Sequence, residues 1–368
     1  MSIAVAPTTG TVVSRIKVGS RSVRLGAPAR TIIRAKAPLR ISFAGGGTDL
    51  PHWYEKHGGA VFSSTINRYA YVTLYPREDS AIRIRSLDMG YLVQYDVEGG
   101  PIYDGILDLA KAAIQRLGAT RGMDIDVRSD APAGSGLGGS SALTAAVIGA
   151  VAAYTGQTLD AYDLAELNFE IERHDLRIAG GKQDQYATTF GGFNLIEFSA
   201  DRVLVNPLNL SRDLINDLES HLLLCYTGRV RADLGLVSMQ VKMCEEGRLE
   251  SQEGLRRLHE LAFELKASLL RGRLGEFGEM LHEAYLNKKR MNPDCAAGTI
   301  ADRLYEEALA HGASGGKLLG AGGGGYLLLY CETDKQHDVR QALQALGGQF
   351  TDFAFDGLGL QAWRSQSR

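Results

Sequence analysis

The sequence predicts an α+β protein built as two packed lobes. Three observations carry this prediction. Strand-like stretches crowd the first third of the chain, helical spacings dominate the region after residue 234, and the two kinds of segment are partly segregated where a doubly wound sheet would alternate them. At 368 residues, 45% of them apolar, the chain can fill two hydrophobic cores. The expected organisation is a flexible basic tail over residues 1–30, a first lobe over 31–205 and a second over 206–368.

From Thr31 the pattern reads as strand, with Ile32, Ile33 and then Leu39 to Phe43 alternating ahead of Gly45, Gly46 and Gly47. Strand-like residues continue over Ala60 to Ile66, Tyr69 to Tyr75, Ala81 to Arg85 and Tyr91 to Val97, with short turns that predict antiparallel pairing. Asp104 to Leu117 has helical spacing and Met123 to Val127 reads as a strand. A glycine-rich stretch then feeds an apolar helical run, Leu143 to Tyr154, and a second helix from about Asp160 carries Glu166, Glu170 and Glu172. In the second half a strand at His221 to Tyr226 precedes helices near Leu234 to Glu245, Glu253 to Leu270, Leu274 to Lys289 and Thr299 to Ala310. Lys317 to Leu319 is strand-like, Gly320 to Gly325 is a glycine run, and Tyr326 to Cys331 is a strand. The end reads as a helix at Lys335 to Leu346 and strands at Gln349 to Phe355 and Leu358 to Trp363.

Composition narrows the partners. A formal charge of -3 supplies no general attraction to nucleic acid or anionic lipid, so a small molecule is the expected partner. Cys225, Cys244, Cys295 and Cys331 form no C-x-x-C pair, which argues against a zinc site or a dense disulfide framework and fits a reducing cytoplasm. The longest apolar run, Ala142 to Tyr154, falls short of a membrane span. Residues 1–48 are basic and free of acid, from Arg15 to Arg40, but without an amphipathic period they read as a solvated tail sooner than a transit segment.

The stretch Pro132-Ala133-Gly134-Ser135-Gly136-Leu137-Gly138-Gly139-Ser140-Ser141-Ala142 is the most informative. A glycine loop exposes consecutive backbone N–H groups, and the positive end of the following helix faces the same point, which suits a bound phosphate chain. The loop satisfies G-x-G-x-x-G, yet Ser129 to Ala133 separates it from the preceding strand and a long strand-rich region comes first, so a dinucleotide fold is disfavoured. A Walker sequence is excluded because Leu318 follows Gly316-Lys317. Two more glycine runs, Gly45 to Gly47 and Gly320 to Gly325, lie far away in sequence, and each is attached to a strand end.

Ala37 to Pro51, Pro132 to Ala142 and Lys317 to Gly325 resemble, in order and spacing, the three motifs of the GHMP small-molecule kinases. The wording Gly-Gly-Gly-Thr-Asp-Leu-Pro is most similar to the branch that phosphorylates D-glycero-D-manno-heptose 7-phosphate. The resemblance covers about residues 31 to 365. It implies a ribosomal S5 domain 2-like first lobe, a ferredoxin-like second lobe, a monomer or homodimer, and ATP with Mg²⁺ as cofactors. It places nucleotide contacts on Pro132, Gly134, Ser135, Gly136, Leu137, Gly138, Gly139, Ser140 and Ser141, and metal contacts on Ser140 and Glu172. Asp184 would meet the acceptor hydroxyl as base or electrostatic anchor, with Arg40, where many relatives carry lysine, keeping it ionised. Gly46, Gly47, Thr48, Asp49 and Gly181 would contact the sugar, and Gly322, Gly323 and Gly324 would close over it.

Other readings of single residues stay open from sequence. Ser140 could be the N-cap of its helix, and Asp49 could cap the turn before Pro51. A phosphorylated acceptor needs cations, and Arg229, Arg231, Lys288, Lys289, Arg290 and Lys317 are available. The implied reaction is ATP-dependent phosphorylation of the anomeric (C1) hydroxyl of the heptose 7-phosphate to the 1,7-bisphosphate, on the way to nucleotide-activated heptose. The alternatives are a kinase of a free sugar of the fucose or galactose type, and a non-catalytic relative that binds sugar and nucleotide.

Overall fold

The computed structural model describes residues 12–15, 31–228, 235–295 and 298–366. Thirteen strands and eleven α-helices form two sheets with helices packed on them among these residues. The first half contains β1 (Val12–Arg15), β2 (Thr31–Ala44), α1 (Pro51–His57), β3 (Gly59–Pro76), β4 (Ala81–Ser86) and β5 (Tyr91–Asp96). It continues through α2 (Asp108–Arg116), β6 (Met123–Ser129), α3 (Gly139–Thr155), α4 (Ala161–Glu170), α5 (Gln183–Phe190), β7 (Phe193–Phe198) and β8 (Val203–Pro207). The second half contains α6 (Arg212–His221), β9 (Leu222–Tyr226), α7 (Leu236–Glu245), α8 (Leu249–Leu270), α9 (Leu274–Met291), α10 (Ile300–Ala310), β10 (Ala313–Leu318) and β11 (Tyr326–Cys331). It closes with α11 (Gln336–Ala345), β12 (Gln349–Phe350) and β13 (Gln361–Gln366).

The larger sheet runs β1-β5-β4-β6-β3-β2-β13, with β7 and β8 branching from β3. The sequence suggests a turn between Ile66 and Tyr69, but β3 is one continuous strand. Its first part pairs with β7 and its last part with β6, while β2 runs along the other side through two register shifts. The polar pair Asn67-Arg68 looks like a break in sequence. It is held extended by the returning chain, where the Asn67 amide donates to Ala354 at 2.8 Å and Asp356 donates to Thr65 at 3.0 Å. The sheet is not wholly antiparallel either, because β4 pairs with β6 in parallel.

Helix α3 is apolar on nearly every side because it lies between the sheet and α2, α4 and α5. Side-chain caps set other helix starts. Asp160 accepts from Asp163 at 2.8 Å, and Ser211 from Leu214 and Thr299 from Asp302, both at 3.3 Å.

The smaller sheet, β10-β11-β9-β12, is covered by α9 and α10. Helix α8 packs on β2 and β3 of the larger sheet. Phe43 of β2 marks the junction, with ring centroids 5.1 Å from Phe62, 6.1 Å from Phe193 and 5.4 Å from Phe277 of α9. The last strand, β13, joins the larger sheet through β2, with Gln366 opposite Thr31 and Gln361 opposite Lys36. Within the segment expected as a tail, residues 12–15 pair with β5, and the remainder of 1–30 lies outside the described residues.

Candidate active site

A cavity of about 260 Å³ opens where the three glycine runs meet. Its first wall is the loop before α3. Gly138 is the N-cap of that helix, in the left-handed conformation and without a side-chain cap. Ser140 is therefore already inside the helix and is not its cap. Its hydroxyl lines the cavity beside Ser141, at a helix start whose amides have no intrahelical acceptor. Gly134, Ser135, Gly136 and Gly139 line the cavity too.

Two expected nucleotide contacts do not line it. Pro132 turns its carbonyl to the Ser135 amide at 3.2 Å. Leu137 is buried in the core, and its carbonyl receives the Arg40 amide at 3.0 Å.

Glu172 stands on a single π-helical turn, Ile171–Asp175, which follows α4 directly. The extra residue per turn lets both Glu172 and Arg173 line the cavity. Glu172 Oε2 accepts from Arg173 Nη1 at 3.0 Å, whereas its buried Oε1 has no hydrogen-bond partner among the described residues. Burial raises the Glu172 carboxyl above its ordinary value, while the Arg173 charge and the Ser141 hydroxyl pull the other way. A buried, partnerless carboxylate oxygen beside serine hydroxyls is a donor set that fits a hard cation such as Mg²⁺. Glu170 and Glu166 are occupied elsewhere, by Arg116 at 2.7 Å and by Lys182 at 2.8 Å.

Asp184 lies in the first turn of α5, where the sequence suggests a plain turn. Arg40 Nε donates to its Oδ1 at 2.8 Å, Arg40 Nη2 reaches the same oxygen at 2.6 Å, and Arg40 Nη1 donates to the Gly136 carbonyl. One buried guanidinium thus couples the phosphate loop to the carboxylate. Asp184 Oδ2 accepts no hydrogen bond among the described residues. Gly136 has a φ of +88°, and a Cβ there would fall 2.6 Å from the Leu319 carbonyl, so only glycine lets the loop lie against the third run.

Asp49 is buried and lines the cavity with Gly46 and Gly47. It does not cap α1, whose N-cap is Leu50. Its Oδ1 accepts from the Gly47 amide at 2.9 Å and from Gln183 Nε2 at 3.0 Å. Burial is the main cause that raises the Asp49 carboxyl, and the nearby Asp184 charge adds to it, against the Gly47 and Gln183 amides. Gly181 also lines the cavity, and a Cβ on it would sit 2.0 Å from Asp49 Oδ2. Thr48 does not fit a sugar contact. It is buried, and its hydroxyl donates to the Gly45 carbonyl at 2.7 Å and receives the Ala60 amide at 3.1 Å.

The third run supplies Gly322 and Gly324 to the cavity but not Gly323, whose amide donates to the Cys295 carbonyl at 2.6 Å. Part of the run is fastened to the phosphate loop instead, with the Tyr326 amide donating to the Ser135 carbonyl at 3.1 Å. Of the candidate cations, Lys288 and Lys317 line the cavity. Lys288 Nζ donates to Leu318 at 2.7 Å and to Gly320. Lys289 is paired with Asp302 at 2.9 Å, Arg290 does not line the cavity, and Arg229 and Arg231 lie outside the described residues.

Sequence reasoning missed Arg173, Gln183 and Ser42. Arg173 links Glu172 to the Gly181 carbonyl at 3.1 Å, and Ser42 touches Lys317 at 3.4 Å. Alternation along β2 places Arg40 and Ser42 on one face, which is the signal that could have found Ser42.

The family model for the GHMP kinases N terminal domain matches residues 105–192, and that for the GHMP kinases C terminal matches residues 265–349. The D-glycero-alpha-D-manno-heptose 7-phosphate kinase of Campylobacter jejuni is 35% identical over 341 residues, which cover 90% of this chain and 99% of that protein. A crystal structure of a D-glycero-D-manno-heptose 1-phosphate kinase from Bacteroides thetaiotaomicron superposes with a TM-score of 0.75 at 32% identity, covering 90% of this chain and 98% of that one. Lactococcus lactis galactokinase complexed with galactose shares the fold, with a TM-score of 0.74 at 20% identity over 90% of this chain and 95% of that one. Fold and cleft together define a two-lobed sugar kinase. The chain belongs to the GHMP kinase family. No described helix is long and apolar enough to cross a membrane.

Proposed function

We propose that this kinase transfers the terminal phosphoryl group of ATP to the anomeric hydroxyl of D-glycero-D-manno-heptose 7-phosphate, forming the 1,7-bisphosphate and ADP in the cytoplasm. The observation that carries the reading is the position of Asp184, joined through Arg40 to the phosphate loop and through Gln183 to Asp49. Phosphoryl transfer asks the protein chiefly to hold donor and acceptor in line and to neutralise charge. The loop amides and the start of α3 hold the triphosphate. Ser140 and the free oxygen of Glu172 would hold Mg²⁺, which neutralises the phosphate oxygens when bound.

Asp49 orients the sugar ring over the bare backbone of Gly46 and Gly47, and Asp184 Oδ2 takes or directs the hydroxyl proton. The sugar oxygen then forms its bond to the terminal phosphorus as the bond to ADP breaks. The choice of sugar is supported by the heptose phosphate kinases among the relatives and by the basic side chains at the cavity floor. Those two relatives carry names that differ in where the acceptor's phosphate stands.

Turnover of purified protein on heptose 7-phosphate, heptose 1-phosphate, fucose and galactose tests the reading. The 7-phosphate should give the highest kcat/KM, with phosphorus NMR locating the new phosphate on C1. A preference for the 1-phosphate or for an unphosphorylated sugar would overturn it.

A further inference from the structure

Lys317 sits at the inner wall of the cavity near the end of β10, and only 4% of it is exposed. Its hydrogen bond is to Ser42 Oγ at 3.4 Å, and no carboxylate forms an ion pair with it among the described residues. The charged groups that face it are Lys288 from α9, Arg40 from β2 and Asp49 from the loop after β2. Arg40 is already matched by Asp184. A cation removed from water without a counter-ion is costly, and a neutral sugar would leave Lys317 in that state. A phosphate monoester would complete it.

We propose that Lys317 is the specificity-determining residue that receives the phosphate already carried by the acceptor. This rests on the substrate reading above and deepens it, since it names the group that makes the pocket select a phosphorylated sugar. Burial and the neighbouring Lys288 and Arg40 charges hold the Lys317 ammonium well below its ordinary value. An arriving phosphate would favour the charged ammonium.

The test compares wild type with Lys317→Met, which is similar in length and removes a buried charge. Steady-state kinetics on heptose 7-phosphate and on unphosphorylated heptose give the selectivity between the two acceptors. That ratio of kcat/KM values should fall roughly 10- to 100-fold in the variant, the loss expected for one charged hydrogen bond, through a raised KM for the phosphorylated sugar. The KM for ATP should move little. Calorimetry should show weaker binding of heptose 7-phosphate to the variant, with ATP affinity near that of wild type.

An unchanged selectivity ratio with a lowered kcat on both acceptors would assign Lys317 to the transferring phosphoryl group and overturn the proposal. Should the variant fail to fold by circular dichroism, Lys317→Gln takes its place, and an unchanged selectivity ratio in that variant overturns the proposal. If wild type itself favours the unphosphorylated heptose, the substrate reading fails, a result visible before any substitution is made.

Discussion

Asp49 Oδ2 receives the backbone amide of Gln183 at 3.2 Å, one residue ahead of Asp184. One cavity-lining carboxylate is therefore fastened to the first turn of the helix that carries the other. A shift of either one moves the other, which suits a reaction whose rate depends on alignment.

Asp184→Asn keeps the shape of the side chain and removes its charge. Turnover should fall by about 10² to 10⁴, the usual share of a general base, while ATP affinity measured by calorimetry stays near that of wild type. Phosphate transfer at an unaltered rate would contradict the assigned role.

Arg40→Lys tests the coupling between loop and carboxylate. An ammonium cannot reach Asp184 and the Gly136 carbonyl with the fork that the guanidinium uses. The expected loss in kcat is roughly 10- to 100-fold, corresponding to one buried charged hydrogen bond, and is read in single-turnover assays.

Gly136→Ala places a side chain at φ +88° and against the Leu319 carbonyl. Backbone strain of this kind costs about 1 to 3 kcal/mol. The variant should show a lower urea midpoint and a higher KM for ATP together, because the same contact joins the two lobes and shapes the phosphate loop.

Glu172 yields a pH prediction. Because burial raises its carboxyl, the folded protein holds that proton more tightly than the unfolded chain does. The contribution to stability is full below the ordinary carboxylate value and is lost as pH rises through the folded value. Glu172→Gln should therefore raise Tm at neutral pH, with the gain shrinking as the pH falls through the raised folded value toward the ordinary carboxylate range and levelling off below it. The same variant should need more Mg²⁺ to reach half-maximal rate. A variant that is no more heat-stable at neutral pH than the parent would contradict the charge state assigned to Glu172.

The glycine runs were legible in the sequence because positions such as Gly45, Gly136 and Gly325 leave no room for a side chain, and that demand leaves a composition signal. The roles expected of Ser140, Glu172 and Asp184 came from the family resemblance, and all three line the one cavity. Other features were hidden because non-local contacts create them. Helix α5 reads as a polar turn after Gly180-Gly181, and Asp49 holds its first amide from far away in the chain. Strand β3 reads as two strands because Asn67 is paired only by residues near the chain's end. Thr48 and Leu137 carry no local mark that separates a cavity residue from a core one, and burial decided both.

The pairing of β13 with β2 means that one margin of a strand early in the sequence is completed by a strand far later in it. Until β13 docks, the Thr31 to Lys36 margin of β2 keeps an open row of amide and carbonyl groups that another polypeptide could occupy. Chains truncated before Gln361 should aggregate more readily than chains that carry β13, so the closing strand also guards against misassembly.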